Sequence, residues 1–600
     1  PPRSTLFPYT TLFRSKLNTD GSNNTFMGFN CGESNTTGAN NVFIGNECGR
    51  FNFGGNNNVF IGDSAGINNQ SHYNVFIGKA AGRENVTGLY NTFIGYQAGL
   101  MNNSGLYNCY LGYDAGKSSN AFYNVMIGYE SGSNNTVGAQ NVFLGFRAGY
   151  NNNGNFNTFL GSSTGYENVS GKYNSFVGFY SGYNNKTGNS NVFIGTYAGH
   201  NNQDGSSNVF IGDSAGFGNT SSYNVFLGKG SGMLNYGSYN TFIGYQTGTK
   251  NTSGLKNVFL GYQSGFSNTI GGRNVFIGNS CGLKNTEGYS NVFIGDQSGY
   301  NNTIGFSNVF LGNNSGFSND TGDANVFIGD QAGKDNISGR ANVFLGINSG
   351  RSNKTGNRNT FLGTGSGEVN VSGDDNVFLG FLSGASNTSG HSNFFALPYS
   401  GFSNTTGQQN IYIGAYAGYN RATGISNIYI GTNAGFDEGS GSNNIFLGSG
   451  AGFSCKGESN IGIGYAAGAN NSLNDNVFIG TASGYNNNIG IENIFIGKYS
   501  GYNNIDGGGN ILIGANAGYN ELGSNKLYIE NSNADPDNAL IYGDFEVDKL
   551  NLNANVNIRD FLVLKPRMVA PANPEKGTVY FDENDNKLKV WDGASWQSCW

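Results

Sequence analysis

The sequence predicts an all-β chain, a parallel β-solenoid of about thirty coils of 16–17 residues that ends in a C-terminal β-meander tip. Three observations lead there. A unit of the form N-[VT]-F-[IL]-G-x-x-[AS]-G-x-x-N-x-[TS]-G-x-x starts at Asn24, restarts at Asn41, Asn58, Asn74, Asn91 and Asn108, and runs on to Asn493 and Asn510. Self-similarity at a short fixed period marks a stacked array rather than a set of globular domains. Each unit holds one apolar run of three, such as Val42-Phe43-Ile44 or Val292-Phe293-Ile294. Gly and turn-forming Asn interrupt every stretch of about ten residues, which excludes helix.

Taken in chain order, residues 1–15 do not fit the rest. Pro1 to Ser15 resembles translated sequencing-adapter readthrough and is set aside as one sets aside a fusion scar. The true N-terminus is then expected to be missing, so the lack of a signal peptide carries no weight. No apolar run approaches the ~18 residues that a membrane-spanning helix needs.

Residues 16–524 form the repeat rod. Successive strand residues point to opposite faces, so Val and Ile share one face and Phe takes the other. A strand apolar on both faces must be buried on both. One face can line the coil. The other needs a second layer, and the simplest supplier is another copy of the chain, which predicts a homotrimer. Gly recurs after the run (Gly28, Gly45, Gly62), four residues later (Gly32, Gly49, Gly66) and at the close of many units (Gly38, Gly88, Gly105). Such fixed phases imply positive φ or close backbone approach. Asn fills two phases, the first residue and the one eleven later (Asn35, Asn52, Asn69, Asn85, Asn102). Stacked at ~4.8 Å, those side chains can hydrogen-bond as ladders along the rod. Cys31, Cys48 and Cys281 occupy a slot that Ala and Ser usually fill, which reads as small buried residues and not as a disulfide framework.

One coil cannot stand alone. Burying one Phe gives roughly 1.5–3 kcal/mol, whereas ordering each residue costs ~1–2 kcal/mol of backbone entropy. Stability must therefore grow with coil number, and thirty coils make a rod on the order of 140 Å long. The Phe phase is conservatively altered at Tyr110, Met126, Tyr412 and Tyr429, and departs at Gly462 and Leu512. At Asn393 to Pro398 the unit loses its Gly and gains Pro, which predicts a local kink or loop.

Residues 525–565 read as a neck. Asp548 to Ile558 alternates apolar and polar, the pattern of a half-buried strand, and three copies around an axis would give it something to bury against. Residues 566–600 read as the β tip, with a polar Asn584-Asp585-Asn586 turn and a hairpin signal at Asp592-Gly593. All three tryptophans are here: Trp591, Trp596 and Trp600. They either make a small aromatic core or, if exposed, a receptor-binding surface. Asp582 to Asn586 echoes a calcium loop but lacks the Gly and the closing Glu.

Composition narrows the function. Charged residues are 12% and aromatics 14%, the reverse of a disordered chain. A net charge of -7 argues against nucleic acid as a partner. The only histidines, His72, His200 and His391, sit at three phases in distant coils. No catalytic arrangement can be assembled from them, so an enzyme, a metal site and a cofactor are not expected. A Thr/Ser phase (Thr37, Thr87, Ser104, Thr187, Ser253) opens an alternative, an ice-binding solenoid, although Val137, Ile270 and Glu287 interrupt it. A passive structural stalk is the other alternative.

The N-V-F-I-G-x-x-A-G pattern resembles the head repeats of trimeric autotransporter adhesins. It is still more similar to the N-T-F-I-G-Y-Q-A-G repeats of surface or tail-fibre-like proteins of Bacteroidetes and their phages, a string that Asn91 to Gly99 matches as it stands. The likeness covers residues 24 to about 524 and extends to Leu562-Val563-Leu564-Lys565-Pro566 and the final meander. It implies a left-handed β-roll, a homotrimer and adhesion to a cell-surface glycan or protein receptor, outside the cell on a bacterial surface or a virion. The chain departs from autotransporter repeats in its longer unit and its Phe, and it has neither anchor-barrel strands nor a self-cleaving chaperone domain.

Overall fold

The computed structural model describes residues 18–437 and 439–600, so the adapter-like segment 1–15 lies outside the described residues. The rod is a parallel β-solenoid with no helix among the described residues. Its strands run from β1 (Thr25–Met27) and β2 (Val42–Ile44) through to β30 (Ile511–Ile513), one three-residue strand per coil. Each strand pairs in parallel with the next, and the register sets like on like: Val42 faces Val59, Phe43 faces Phe60 and Ile44 faces Ile61. At ~4.8 Å per strand the array is roughly 145 Å long.

The Phe phase points into the coil and is fully buried almost throughout. Phe43 stacks on Phe60 with ring centroids 4.7 Å apart and planes 3° from parallel, and Phe293 on Phe310 at 4.7 Å and 5°. Opposite each ring lies the small-residue slot, and its occupants share one bond. Cys48 Sγ and Ser181 Oγ each donate to the Phe carbonyl of the following coil, at 3.2 and 3.1 Å. This explains why Ser and Cys replace Ala at a dry position: the polar hydrogen has an acceptor waiting. Cys31, Cys48 and Cys281 are buried and free of disulfides, and burial pushes the Cys48 and Cys281 thiols up.

Both Asn phases form buried ladders. At the first, each side-chain oxygen accepts the backbone N–H of the next coil's Asn (Asn58 N to Asn41 Oδ1, 2.9 Å), while Nδ2 donates to the carbonyl that closes its own coil (Asn91 to Gly105, 2.8 Å). At the second, amide donates directly to amide, as Asn302 Nδ2 does to Asn285 Oδ1 at 2.8 Å. Two corners explain the glycines. Gly49 has φ +56°, and a Cβ there would lie 2.7 Å from the Phe43 ring. Gly288 closes its coil without positive φ, yet a Cβ would come within 2.7 Å of Asn302 Nδ2. The closing Gly therefore answers close approach and not backbone hand.

Position 397–398 corrects the expected kink. Phe394–Ala396 pairs in register with both neighbouring strands. Leu397 takes the glycine corner at φ 81° and still donates to Leu379 O at 2.7 Å. Pro398 falls on a phase whose N–H makes no ladder bond in neighbouring coils, and its carbonyl still accepts from Tyr416 N at 3.1 Å. Proline removes a donor that the coil does not use.

The parallel array ends with β31 (Lys526–Ile529), which pairs in parallel with β30. The chain then turns through Asp535 to Asn538 into β32 (Ile541–Asp544) and β33 (Lys549–Leu552), both antiparallel. The strand expected across Asp548 to Ile558 thus forms only over its first half. A separate three-stranded antiparallel sheet follows: β34 (Val579–Asp582), β35 (Lys587–Trp591) and β36 (Trp596–Ser598).

Candidate functional site

Three surfaces carry what chemistry this chain offers. The first is the meander. Antiparallel pairing sets Trp591 opposite Trp596, with ring centroids 5.4 Å apart, and Tyr580 meets Trp596 edge-on at 4.7 Å. These rings are partly covered and make the small aromatic core that the sequence allowed. Trp600 does not join them: it is 63% exposed and pairs with no ring among the described residues. The Asp592 carboxylate accepts from the N–H groups of Ser595 and Ala594 at 2.7 and 2.8 Å, which closes the hairpin and holds its pKa below the usual carboxylate value.

The second surface is the outer face of the rod. Val, Ile and Leu, with Thr or Ser in some coils, flank the buried Phe file and stay part-exposed in the single chain; Ile194, for example, is 40% exposed. Side chains two residues apart on a strand stand ~7 Å apart, so two files along the whole rod make an apolar stripe of roughly 1,000 Å². That exceeds the ~300–600 Å² of the largest patch on an ordinary monomer. Beyond it, Val556, Phe561, Leu562 and Val563 are 57%, 85%, 68% and 84% exposed, an apolar stretch with little cover from the described residues.

The third surface was not read from the sequence. Tyrosines stack outside the coil as they do inside it. Tyr73, Tyr90, Tyr107 and Tyr123 form one file at 4.9–5.1 Å. Phe402, Tyr419, Phe436 and Phe453 form another at 5.0–5.3 Å. The signal was present as aromatics recurring at two phases, the residue before the unit and the one nine into it. Stacked rings offer their edges to solvent and hide their faces from it.

The histidines remain apart. His72 Nδ1 accepts from Asn56 N at 2.8 Å, and His200 lies in a ring stack between Tyr183 and Phe217 with its pKa lowered by burial. His391 lies at the surface beside Ser392. Among the described residues no three His, Cys, Asp or Glu side chains gather as metal ligands, and no helix is long and apolar enough to cross a membrane. One buried polar cluster does occur. Arg421 and Cys455 take the Asn ladder phase, and Arg421 donates to Gly435 O at 3.0 Å and to Cys455 O. Burial pushes the Tyr429 hydroxyl up to about 12 and Tyr412 well above its usual value. All four are sealed from solvent. The Thr phase weighed for ice lies on a bend and not on a strand, with Val137 and Ile270 69% and 53% exposed in the same slot. Comparison with protein families, with curated proteins and with solved structures finds no match to this chain.

Proposed function

We propose that this chain is a non-enzymatic surface fibre, an adhesin or tail-fibre-like protein that attaches to a cell-surface glycan or protein receptor and works as a homotrimer outside the cell. The observation that carries the reading is uncovered apolar surface on an otherwise closed rod. A coil whose Phe is fully buried leaves its flanking Val and Ile part-exposed over about 145 Å, and the neck adds Phe561 to Val563, little covered by the described residues. Stable association buries ~800 Å² or more per partner, which the stripe alone supplies. Three copies would cover stripe and neck together, and a rod of ~30 stacked coils would hold the meander far from its anchor. Exposed Trp600 supports a recognising tip over a passive stalk, since aromatic anchors dominate binding hot spots. The test is attachment of fluorescently labelled protein to bacterial cells, with residues 18–600 compared with a truncation lacking 566–600. The proposal expects the truncation to stay oligomeric and lose attachment. Full attachment without the tip would overturn the tip's role.

A further inference from the structure

One file of external rings has a single missing rung. At the phase nine residues into the unit, Phe402, Tyr419, Phe436 and Phe453 stack in consecutive coils, and Tyr485, Tyr502 and Tyr519 stack further on. The coil between them carries Ala469. No other small residue of this phase stands between two aromatics. Phe436 and Phe453 lie 10° from parallel and Tyr485 and Tyr502 8°, and Phe453, Tyr485 and the covered Ala469 between them line one cleft. Two strand spacings separate them, roughly 9–10 Å. That leaves room for one flat ring with the same spacing to each side as a rung of the ladder. Neither Phe453 nor Tyr485 has a ring of the ladder stacked on the side of Ala469.

The gap opens into a cleft of about 340 Å³, whose rim carries Tyr465, Asn433 and Asn470. This falls within the ~300–1,000 Å³ of small-molecule sites. Tyr465 is 64% exposed. Among the described residues neither Asn433 nor Asn470 has a side-chain hydrogen bond; each bonds through its backbone, Asn433 N to Ala415 O and Asn470 N to Tyr485 O. No lining residue is charged. A nucleotide would bring phosphates with no cation to meet them, and a plain phenyl ring would leave the rim amides unused.

The geometry points to a binding site for one neutral pyranose ring, sandwiched between Phe453 and Tyr485 over Ala469, with Asn433 and Asn470 bonding the hydroxyls on its rim. A pyranose presents C–H groups on its faces and hydroxyls at its edge, which is what this slot complements. The inference deepens the proposed attachment to surface glycans by naming a sugar site on the rod, apart from the tip.

Saturation-transfer NMR with methyl glucopyranoside, methyl galactopyranoside and methyl N-acetylglucosaminide tests it on residues 18–600. Transfer to at least one pyranoside is expected, lost at least tenfold in Ala469→Tyr, which restores the rung with a residue the same phase holds elsewhere. Tyr485→Ala removes one wall and is expected to weaken binding severalfold, while Tyr90→Ala, an exposed ring in a file that does not line the cleft, leaves it unchanged. An unaltered circular dichroism spectrum and melting point confirm that each variant folds. No transfer to any pyranoside, transfer to phenol alone, or equal transfer in Ala469→Tyr overturns the site. Cell attachment is scored in parallel. Its absence with pyranoside binding intact would overturn the adhesin reading and leave the cleft standing.

Discussion

Replacing Asn302 by Asp probes the ladder with the smallest change in shape. Asn302 is fully buried. Its amide donates to Asn285 Oδ1 at 2.8 Å and to Gly305 O at 3.0 Å, and its oxygen accepts from Asn319 Nδ2 at 2.7 Å. Asn302→Asp keeps the acceptor and loses both donations. Each abandoned buried acceptor costs ~1–3 kcal/mol, so the lost bonds alone come to about 2–6 kcal/mol. An ionised carboxylate would also face two carbonyl oxygens in a dry core, which drives its pKa up. The folded-state pKa then lies above the unfolded value of ~3.9. The folded state holds more protons, so stability is retained below ~3.9 and lost as pH rises through the folded pKa. Protonated Asp also recovers one donor. Asn302→Ala removes all three bonds and carries no titrating group, so its cost stays flat with pH. Hydrogen exchange of amides in the coils around residues 291–319, followed from pH 4 to 8 and corrected for intrinsic rates, reads the defect locally. This suits an array whose coils need not unfold together. Parallel pH profiles for the Asp and Ala variants, or an Asp variant within 1 kcal/mol of wild type at pH 7, would refute the ladder's energetic role.

Other perturbations separate the remaining claims. Phe276→Ala empties a fully buried rung between Phe259 and Phe293 and should cost about 3–5 kcal/mol by local exchange. Pro398→Ala should lie within about 0.5 kcal/mol of wild type, whereas Val292→Pro, which removes the 2.8 Å bond to Asn308 O, should cost ~3 kcal/mol or more; equal costs would contradict the idle N–H at position 398. Cys281, buried and with its thiol pushed up, should resist a thiol reagent in the native state and react on denaturation; rapid native labelling would contradict its burial. Ile294→Lys puts a charge on the outer stripe, where Ile294 is 38% exposed, and should lower the solution mass without lowering the helix-free circular dichroism signal.

The repeat made strand positions and register legible, because a period repeated about thirty times averages away local ambiguity, whereas both strand faces are apolar and the sequence alone did not say that Phe is the inward one. Both Asn ladders followed from the phase of Asn alone. The residue before each unit and the one six into it were not legible as corners. Tyr90, Tyr107, Gln97 and Gln263 all sit there at positive φ without being Gly. Their signal is an absence: among the described residues no Val, Ile or Thr has positive φ, as β-branched side chains avoid that region. Pro398 was misread because strand rules apply to N–H groups that donate, and the sequence does not say which phase is idle. For the tip tryptophans the sequence left core and receptor surface open for all three alike; the pairing of Trp591 with Trp596 and the exposure of Trp600 are set by how the final hairpin folds. The outer ring files, and the gap at Ala469, are faint in the sequence because these aromatics vary from coil to coil, unlike the near-invariant Phe, Gly and Asn phases.

Light scattering coupled to size exclusion on residues 18–600 tests the central claim most directly. Association through the Val/Ile stripe and the apolar neck predicts a mass of three chains that holds on dilution. A single-chain mass at the same concentrations would mean that half-exposed Val and Ile and bare Phe561 to Val563 are tolerated in water, and would contradict the fibre.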